Sequence, residues 1–287
     1  MSWQMYRWVW KVISPIHVGT APAGSLNRTR LYIPARTFWG ALTAELSRNC
    51  AGSEFPKYVE KRSMLQQKVR FSYLFPAKRV NRRWQAWYPR YSNKGLMWYP
   101  EDNLGKPIPH REFRTQILST YPSTAIDPAS DTAAEGTLRE LEYIQTHWRT
   151  KGAAGASEVA MVGYVFLSED QIKNQVFSVQ ELWVGADTRY GYGWLQRLDC
   201  QETSEFFGKQ VDLGNGNPRV LTDITFGHVK IDPNMTLQGS FELLEGWDRG
   251  TIEIIDLTWA PGSFAAEAAR TFEILPGGIW QPVRGKA

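Results

Sequence analysis

The side chains best suited to chemistry in this sequence are basic and aromatic, and many of them share one segment. Residues 57–90 carry ten lysines and arginines, and Glu60 is the only acid among them. Basic groups neutralise phosphates and the interleaved aromatic rings can stack on unpaired bases, a combination typical of single-strand binders. The candidate contacts are Lys78, Arg79, Arg82 and Arg83. The same composition also fits a solvated, partly buried hairpin whose arginines keep it soluble.

The loop at residues 185–193, with the sequence GADTRYGYG, is the second candidate. Glycine allows positive φ and the close approach of another backbone, and exposed N–H groups can cradle a phosphate. Arg189 would add charge, while Tyr190 and Tyr192 would add stacking surface. Because the loop is expected to follow a helix, it is not a dinucleotide fingerprint, which must precede one. A tight structural turn is the alternative interpretation.

Metal chemistry and nucleophilic catalysis find little support in the sequence. The histidines and cysteines are scattered without ligand spacing: His17, His110, His147, His228, Cys50 and Cys200. We therefore expect no metal, no cofactor and two reduced thiols. Asp127 and Asp131 fit turns. No Ser/His/Asp spacing, paired carboxylates or phosphate-binding P-loop is visible.

Composition indicates an ordinary globular chain. Of its 287 residues, 43% are hydrophobic and 22% are charged, and the net charge is +4. No apolar run approaches the ~20 residues that a membrane helix needs, and the start of the chain has no apolar signal-peptide core. We expect a cytoplasmic protein that has no membrane partner.

Two strand-plus-helix units should position these candidates. Residues 6–13 alternate as a strand, and a helix is predicted from an N-cap at Thr37. Residues 158–167 form a strongly apolar strand. A second helix is predicted to open with a capping box of Ser168 and Gln171 and to end at Gly185 as its C-cap. A short strand, WLQRL, follows the glycine loop.

These units predict an α+β fold with a ferredoxin-like (RRM-like) βαββαβ core. Residues 1–200 would form that domain, with a long insertion at about 53–157. The basic, aromatic part of the insertion, residues 53–122, would consist of irregular strands and loops. Residues 201–287 would be a β-rich extension or a second small lobe, with a linker or long turn at 208–218 and a short helix at 264–272.

The order of three sequence patterns resembles the RAMP superfamily of CRISPR-associated proteins. SPIHVG at residues 14–19 is similar to the end of that family's first strand, and YIPARTFWGAL at 32–42 to its first helix start. LWVGADTRYGYGWL at 182–195 is similar to its glycine-rich loop. The middle piece, TAIDPASDTAAEGTLRELEYI, looks like type III relatives. The resemblance spans roughly residues 6–198.

This resemblance implies an RNA-binding role in a type III effector complex. Its members hold guide RNA (crRNA), so the implied partners are guide RNA, backbone RAMP subunits and the large polymerase-like subunit, with target RNA contacted indirectly. We expect the tag-capping (Cas-five-like) subunit, which grips the repeat-derived 5′ tag of the guide. The candidate RNA contacts are His17, Arg28, Arg30, Arg36, Lys78, Arg79, Arg82, Arg83, Arg189, Tyr190 and Tyr192.

Two enzymatic alternatives stay open. Cleaving backbone subunits of the family carry an Asp in the loop before the first helix, but residues 18–31 here contain no acid. A guide-processing endoribonuclease would need a general base, and His17 is the obvious candidate, although it lies in a pattern that non-catalytic members share. We therefore expect a chain that is not an enzyme.

Overall fold

The computed structural model describes residues 2–50, 55–102, 105–149, 157–214, 216–248 and 251–283. Its helices are α1 (Ala35–Asn49), α2 (Phe55–Lys68), α3 (His110–Ile117) and α4 (Asp170–Ser178). Its first strands are β1 (Gln4–Val12), β2 (Leu26–Asn27), β3 (Val69–Phe71), β4 (Phe75–Val80), β5 (Arg83–Ser92), β6 (Gly95–Pro100), β7 (Ile108–Pro109), β8 (Leu118–Ser123), β9 (Ile126–Asp127), β10 (Thr132–Ala133), β11 (Arg139–Ile144) and β12 (His147–Trp148). The others are β13 (Ser157–Glu158), β14 (Ala160–Leu167), β15 (Glu181–Trp183), β16 (Trp194–Glu202), β17 (Glu205–Phe206), β18 (Lys209–Asp212), β19 (Arg219–Thr222), β20 (Val229–Lys230), β21 (Phe241–Asp248), β22 (Thr251–Trp259), β23 (Arg270–Ile274) and β24 (Trp280–Pro282).

A mixed architecture of helices and strands is built on one large sheet. Among the described residues its strand order is β15-β16-β1-β14-β4-β5-β6-β7, and β3 also pairs with β14. Strand β1 lies between β14 and β16 and is antiparallel to both. The loop at residues 20–30 follows β1, and the loop at residues 185–193 precedes β16, which pairs with β1. Both loops therefore connect to strands at the centre of this sheet.

The period-two pattern of β1 decides which rings face the helices, because successive side chains of a strand point to opposite faces. Trp8 and Trp10 contact Phe38 of α1, with ring centroids 5.6 and 5.5 Å apart. On the opposite face, Tyr164 of β14 contacts Phe206 at 4.8 Å and Phe207 at 4.7 Å. The central sheet is therefore covered by aromatic side chains on both faces.

The chain after residue 204 forms a second sheet. Its strand order is β17-β18-β19-β23-β24-β20-β22-β21 among the described residues. A turn at Gly278 packs so closely on α1 and β3 that a methyl group there would overlap the Ala35 side chain and approach the Phe71 carbonyl oxygen. Buried rings of Phe206, Phe207 and Phe226 join this sheet to the central one.

The first helix begins earlier than the sequence predicts. Helix α1 starts at Ala35, with Pro34 as its N-cap residue, and the Phe38 amide donates the first helical bond to the Pro34 carbonyl at 3.1 Å. The fixed φ of proline suits the start of a helix, so Thr37 lies within the helix instead of capping it.

The predicted ends of the second helix are wrong. Helix α4 has Glu169 as its N-cap residue, and the Ser168 hydroxyl donates instead to the Lys68 carbonyl at 3.1 Å. The helix ends at Ser178, and Leu182 lies in β15, where it pairs with Leu195 of β16. Gly185 therefore follows a strand and is not a helix C-cap.

Three other predicted segments differ. Residues 53–122 are not wholly strands and loops, because α2 and α3 lie there. The predicted linker at 208–218 contains β18, which pairs with β17 and β19. No helix occurs at 264–272, where the backbone of Phe264 bonds to Gln238 and the amide of Ala265 donates to Asp223. Tertiary pairing overrides the helix propensity of that alanine-rich stretch.

Candidate nucleic-acid interface

The glycine loop is fastened to the turn that follows β1. The Ala186 amide donates to the His17 carbonyl at 2.8 Å, and the Gly193 amide donates to the Pro15 carbonyl at 2.7 Å. Both Gly185 and Gly193 have positive φ, and a methyl group at either would overlap a backbone oxygen, that of His17 or of Val184. Glycine is required at these two positions because no side chain fits there.

The arginine-bearing loop at residues 20–30 is attached to the same turn. The Arg30 amide donates to the Val18 carbonyl at 2.8 Å, and the Thr20 amide donates to the Arg28 carbonyl at 3.0 Å. Strand β2 of this loop pairs with β11. Arg139 at the start of β11 forms an ion pair with Asp187 of the glycine loop at 3.0 Å. The backbones of the two predicted loops are thus brought together.

Their side chains, however, line two different clefts. The first, which we call the tyrosine cleft, has a volume of about 530 Å³ and is lined by Tyr121, Ser123, Arg139, Leu141, Asp187, Tyr190 and Tyr192. Tyr190 is 77% exposed and Tyr121 is 58% exposed. Arg189 is also exposed, on the short 3₁₀ turn that carries Tyr190. Accessible rings beside arginines provide what an unpaired RNA strand needs.

The second, which we call the arginine cleft, has a volume of about 240 Å³. Loop residues Arg28 and Arg30 line it together with His110 and Arg114 of α3. Arg30 is ion-paired with Glu242 of β21, so its guanidinium joins the first loop to the C-terminal sheet. Arg36, in the first turn of α1, is half-buried and has an intramolecular partner.

His17 occupies a buried position. Its side chain is 5% exposed, and Nδ1 lies 2.7 Å from the Glu142 carbonyl oxygen. Because a carbonyl oxygen only accepts, Nδ1 carries the proton and donates. The ring therefore fixes the turn against β11, and an RNA hydroxyl would reach it only if neighbouring groups moved.

The basic segment at 57–90 is divided between structural and exposed roles. Arg70 is 7% exposed and donates to Asn217, Gln66 and Val69. Lys68 pairs with Glu169 and Arg90 with Asp223. The four predicted contacts of this segment lie on the β4–β5 hairpin, where Lys78 is half-buried and Arg79, Arg82 and Arg83 are exposed.

The four predicted contacts on that hairpin line neither of the two clefts, although Pro89 and Tyr91, further along β5, line the arginine cleft. Its turn residues Asn81 and Arg82 have φ of 48° and 67°, as a two-residue type I′ turn requires. Asn81 and Arg83 line a separate cavity of about 560 Å³ on the face of the sheet that carries Arg7 and Tyr164, and acidic Glu101, Asp102 and Glu205 also line it. The predicted contacts that are exposed or line a cleft thus do not share one surface.

The predicted RNA contacts left out polar and aromatic side chains of both clefts. Tyr121 and Arg139 belong to the tyrosine cleft, and His110 and Arg114 to the arginine cleft. All four come from the insertion, far in sequence from the loops that they complete. The positive charge of Arg111 and Arg114 beside His110 was the only local signal.

Within the ranges that the structure describes, no three His, Cys, Asp or Glu side chains are grouped as metal ligands. No described helix has the length and apolar character to cross a membrane.

Comparison with known proteins shows the family and the fold. The family model of the RAMP superfamily matches residues 10–196. A structure of the type III-B Cmr-β complex bound to cognate target RNA and AMPPNP contains a chain with a TM-score of 0.54 and 13% identity, covering 90% of this chain and 85% of that one. A second Cmr-β structure with cognate target RNA gives a TM-score of 0.52 and 13% identity, covering 90% and 86%. At this identity the likeness shows the fold. No curated protein sequence matches the chain.

Proposed function

Because the chain belongs to the RAMP superfamily, we propose that it is a non-catalytic, guide-RNA-binding subunit of a type III CRISPR effector complex. In this role it grips the repeat-derived 5′ tag and contacts neighbouring effector subunits. The observation that carries the proposal is the tyrosine cleft, where the exposed Tyr190 and Arg189 of the glycine loop lie beside Tyr121 of β8 and Arg139 of β11. The similar chains of the Cmr-β complexes, solved with target RNA, support the assembly partners.

We assign the centre of the large sheet to the ferredoxin-like type. The order β16-β1-β14 followed by β3 and β4, all antiparallel, supports this assignment. So does the position of α1 between β1 and β3, and of α4 between β14 and β16. In this assignment the two loops follow the first strand and precede the last one, at one end of the sheet.

The absence of catalysis is part of the proposal. The loop at 18–31 offers no carboxylate, and His17 is buried with Nδ1 committed to a carbonyl. Asp127, one of the two acids that the sequence assigns to turns, accepts from the Ala129 amide at 3.0 Å and from the Ser130 hydroxyl at 2.8 Å. These bonds lower its pKa and agree with a turn residue. Incubating the chain with end-labelled RNA, with and without Mg²⁺, should leave the RNA intact. A discrete cut lost in His17→Ala or Asp127→Ala would contradict this part.

Substitution of Tyr190 tests the tyrosine cleft directly. Stacking on one base is worth ~1–3 kcal/mol, so Tyr190→Ala should weaken the binding of a fluorescein-labelled single-stranded RNA by roughly tenfold. Because the side chain is 77% exposed, the melting temperature should not change. Leu221→Ala is the control, since Leu221 is 55% exposed on β19 and outside the cleft. Equal RNA affinities for the two variants would count against the cleft.

Arg189 tests the electrostatic part. If its guanidinium neutralises one phosphate, Arg189→Ala should reduce the log–log salt slope of RNA binding by roughly 0.7. Arg270 on β23 is an exposed arginine away from both clefts, so Arg270→Ala should keep the wild-type slope. Fluorescence anisotropy titrations at several salt concentrations give the slopes. An Arg189→Ala slope equal to that of wild type would remove Arg189 from the interface.

The tag-gripping role needs a separate measurement. RNA that copurifies with the chain in its complex should share one constant 5′ end when it is sequenced. If the RNA is bound but its ends vary, the backbone-subunit alternative replaces the tag-capping one.

A further inference from the structure

The arginine cleft contains one guanidinium, that of Arg28, with no hydrogen-bond or ion-pair partner among the described residues. Arg30 pairs with Glu242, and Arg114 pairs with the buried carboxylate of Glu142. Within the part of the chain that the structure describes, the side chain of Arg28 has no ion pair or hydrogen bond. The cleft therefore carries one uncompensated positive charge, and this charge favours an anionic occupant.

Beside Arg28, the His110 ring is held in one neutral form. The Trp98 indole N–H donates to His110 Nδ1 at 3.0 Å, so Nε2 carries the proton. Burial, with Arg114 and Arg28 nearby, lowers the pKa of His110 to about 4. The ring stacks on Trp98 with an interplanar angle of 19°. A fixed donor and a fixed charge therefore line the same small space.

Aromatic walls complete the cleft. Tyr91 and Tyr32 line it, and the amide of Tyr91 is anchored to the Gly262 carbonyl at 2.9 Å. The volume of about 240 Å³ falls below the ~300–1,000 Å³ of ordinary small-molecule pockets. The space is therefore too small for two stacked nucleotides, and it combines a phosphate-binding charge with ring surface for one base.

We propose that the arginine cleft holds a single nucleotide of the bound RNA strand, with its phosphate on Arg28 and its base between Tyr91 and His110. This proposal rests on the proposed RNA-binding function. The backbone of the arginine-bearing loop is bonded to the turn that also holds the glycine loop. An RNA strand that runs along these loops from the tyrosine cleft would thus place one unstacked nucleotide in the arginine cleft.

The C-terminal sheet supplies the rigid wall. His228 of this sheet lies with Nδ1 2.6 Å from the Tyr73 hydroxyl and with Nε2 2.8 Å from Glu242. Burial lowers the pKa of His228 to about 3, with Arg30 adding to the effect, so the ring is neutral and donates from Nε2 to the carboxylate. Glu242 in turn pairs with Arg30. These are positioning residues, which hold Arg30 at the cleft wall and leave Arg28 as the phosphate contact.

An abasic scan tests the proposal. Single-stranded RNAs that lack one base at successive positions are titrated against the full-length chain by anisotropy. In wild type, one position should cost roughly tenfold in affinity, as expected for the loss of one stacked base. Tyr91→Leu should weaken binding of the intact RNA by a similar factor, and the missing base at that position should then cost little more. Arg28→Ala should reduce the salt slope by roughly 0.7, and Arg28→Lys should restore it.

The outcomes separate this inference from the function on which it rests. If Tyr91→Leu and Arg28→Ala melt and bind like wild type while Tyr190→Ala still binds weakly, the cleft is not an RNA subsite and the RNA-binding function stands. If wild type binds no RNA, the function fails as well. Titration with AMP distinguishes a free nucleotide from a nucleotide of the RNA strand. If AMP binding requires Arg28 but Arg28→Ala leaves the RNA affinity unchanged, the proposal is overturned.

Discussion

Replacing Gly193 with alanine is expected to lower the free energy of unfolding by roughly 3 kcal/mol and to weaken RNA binding at least tenfold. Two costs combine. Alanine at a φ of +83° loses about 1–2 kcal/mol to backbone strain, and the added methyl overlaps the Val184 carbonyl oxygen. The chain can relieve that overlap only by breaking the bond between the Val184 amide and the Gly193 carbonyl, at 2.9 Å, that closes the loop.

Gly191 provides a matched control within the same loop. Its φ is +87°, but no atom lies within 4 Å of the position where a methyl would be placed. Gly191→Ala should therefore show the backbone cost alone, about 1 kcal/mol. Urea unfolding followed by fluorescence measures both variants, and anisotropy measures their RNA affinity. Equal losses of stability in Gly191→Ala and Gly193→Ala would mean that close packing does not shape the loop.

Replacing Glu101 with alanine should cost about 3–5 kcal/mol of unfolding free energy, because it leaves a buried charge without its partner. Arg7 of β1 pairs with Glu101 at 2.7 Å, and their side chains are only 13% and 8% exposed. Burial lowers the pKa of Arg7, but the carboxylate more than offsets it and the pKa is raised overall. Glu101 also accepts from the Tyr164 hydroxyl at 3.1 Å and from the Ala86 amide at 3.2 Å.

Glu267 is the control for this substitution. It lies 3.9 Å from Arg270 and is 89% exposed, so Glu267→Ala should change stability by less than about 1 kcal/mol. Glu101→Gln, which keeps an acceptor oxygen, should lie between wild type and Glu101→Ala. Chemical denaturation of the three variants without RNA gives the comparison. A loss below about 1 kcal/mol for Glu101→Ala would show that Arg7 finds another acceptor.

The central strands were predicted well because their burial produces a strong pattern of apolar residues in the sequence. The aromatic rings of β1 stand at alternate positions because they share the face that packs against the helices. Strand β14 is apolar throughout because both of its faces are buried. The same reasoning failed at the end of α4. Val179 and Leu182 continue a helical spacing, yet both are buried after the helix has ended, in extended chain and in β15.

The site was predicted in part for the same reason. Residues 185–193 could be matched because close contacts with the backbone of His17 and Val184 demand glycine at positions 185 and 193, and that demand is visible in one sequence. The directions of Arg28 and Arg30 were not predictable, since they depend on α3 and on Glu242, which lie about 80 and 210 residues further along. Nor could charge alone show that Arg70 is a buried structural residue while Arg79 is exposed.

The ion pair between Arg30 and Glu242 has a consequence for how this protein can diverge from its relatives. The region that matches the superfamily ends at residue 196, whereas the carboxylate that fixes Arg30 comes from a strand that begins at Phe241. One wall of the arginine cleft therefore comes from outside the region that the superfamily model matches. If the cleft holds a nucleotide as proposed, changes in that terminal sheet should alter which nucleotide is preferred and should leave the path of the RNA along the glycine loop unchanged.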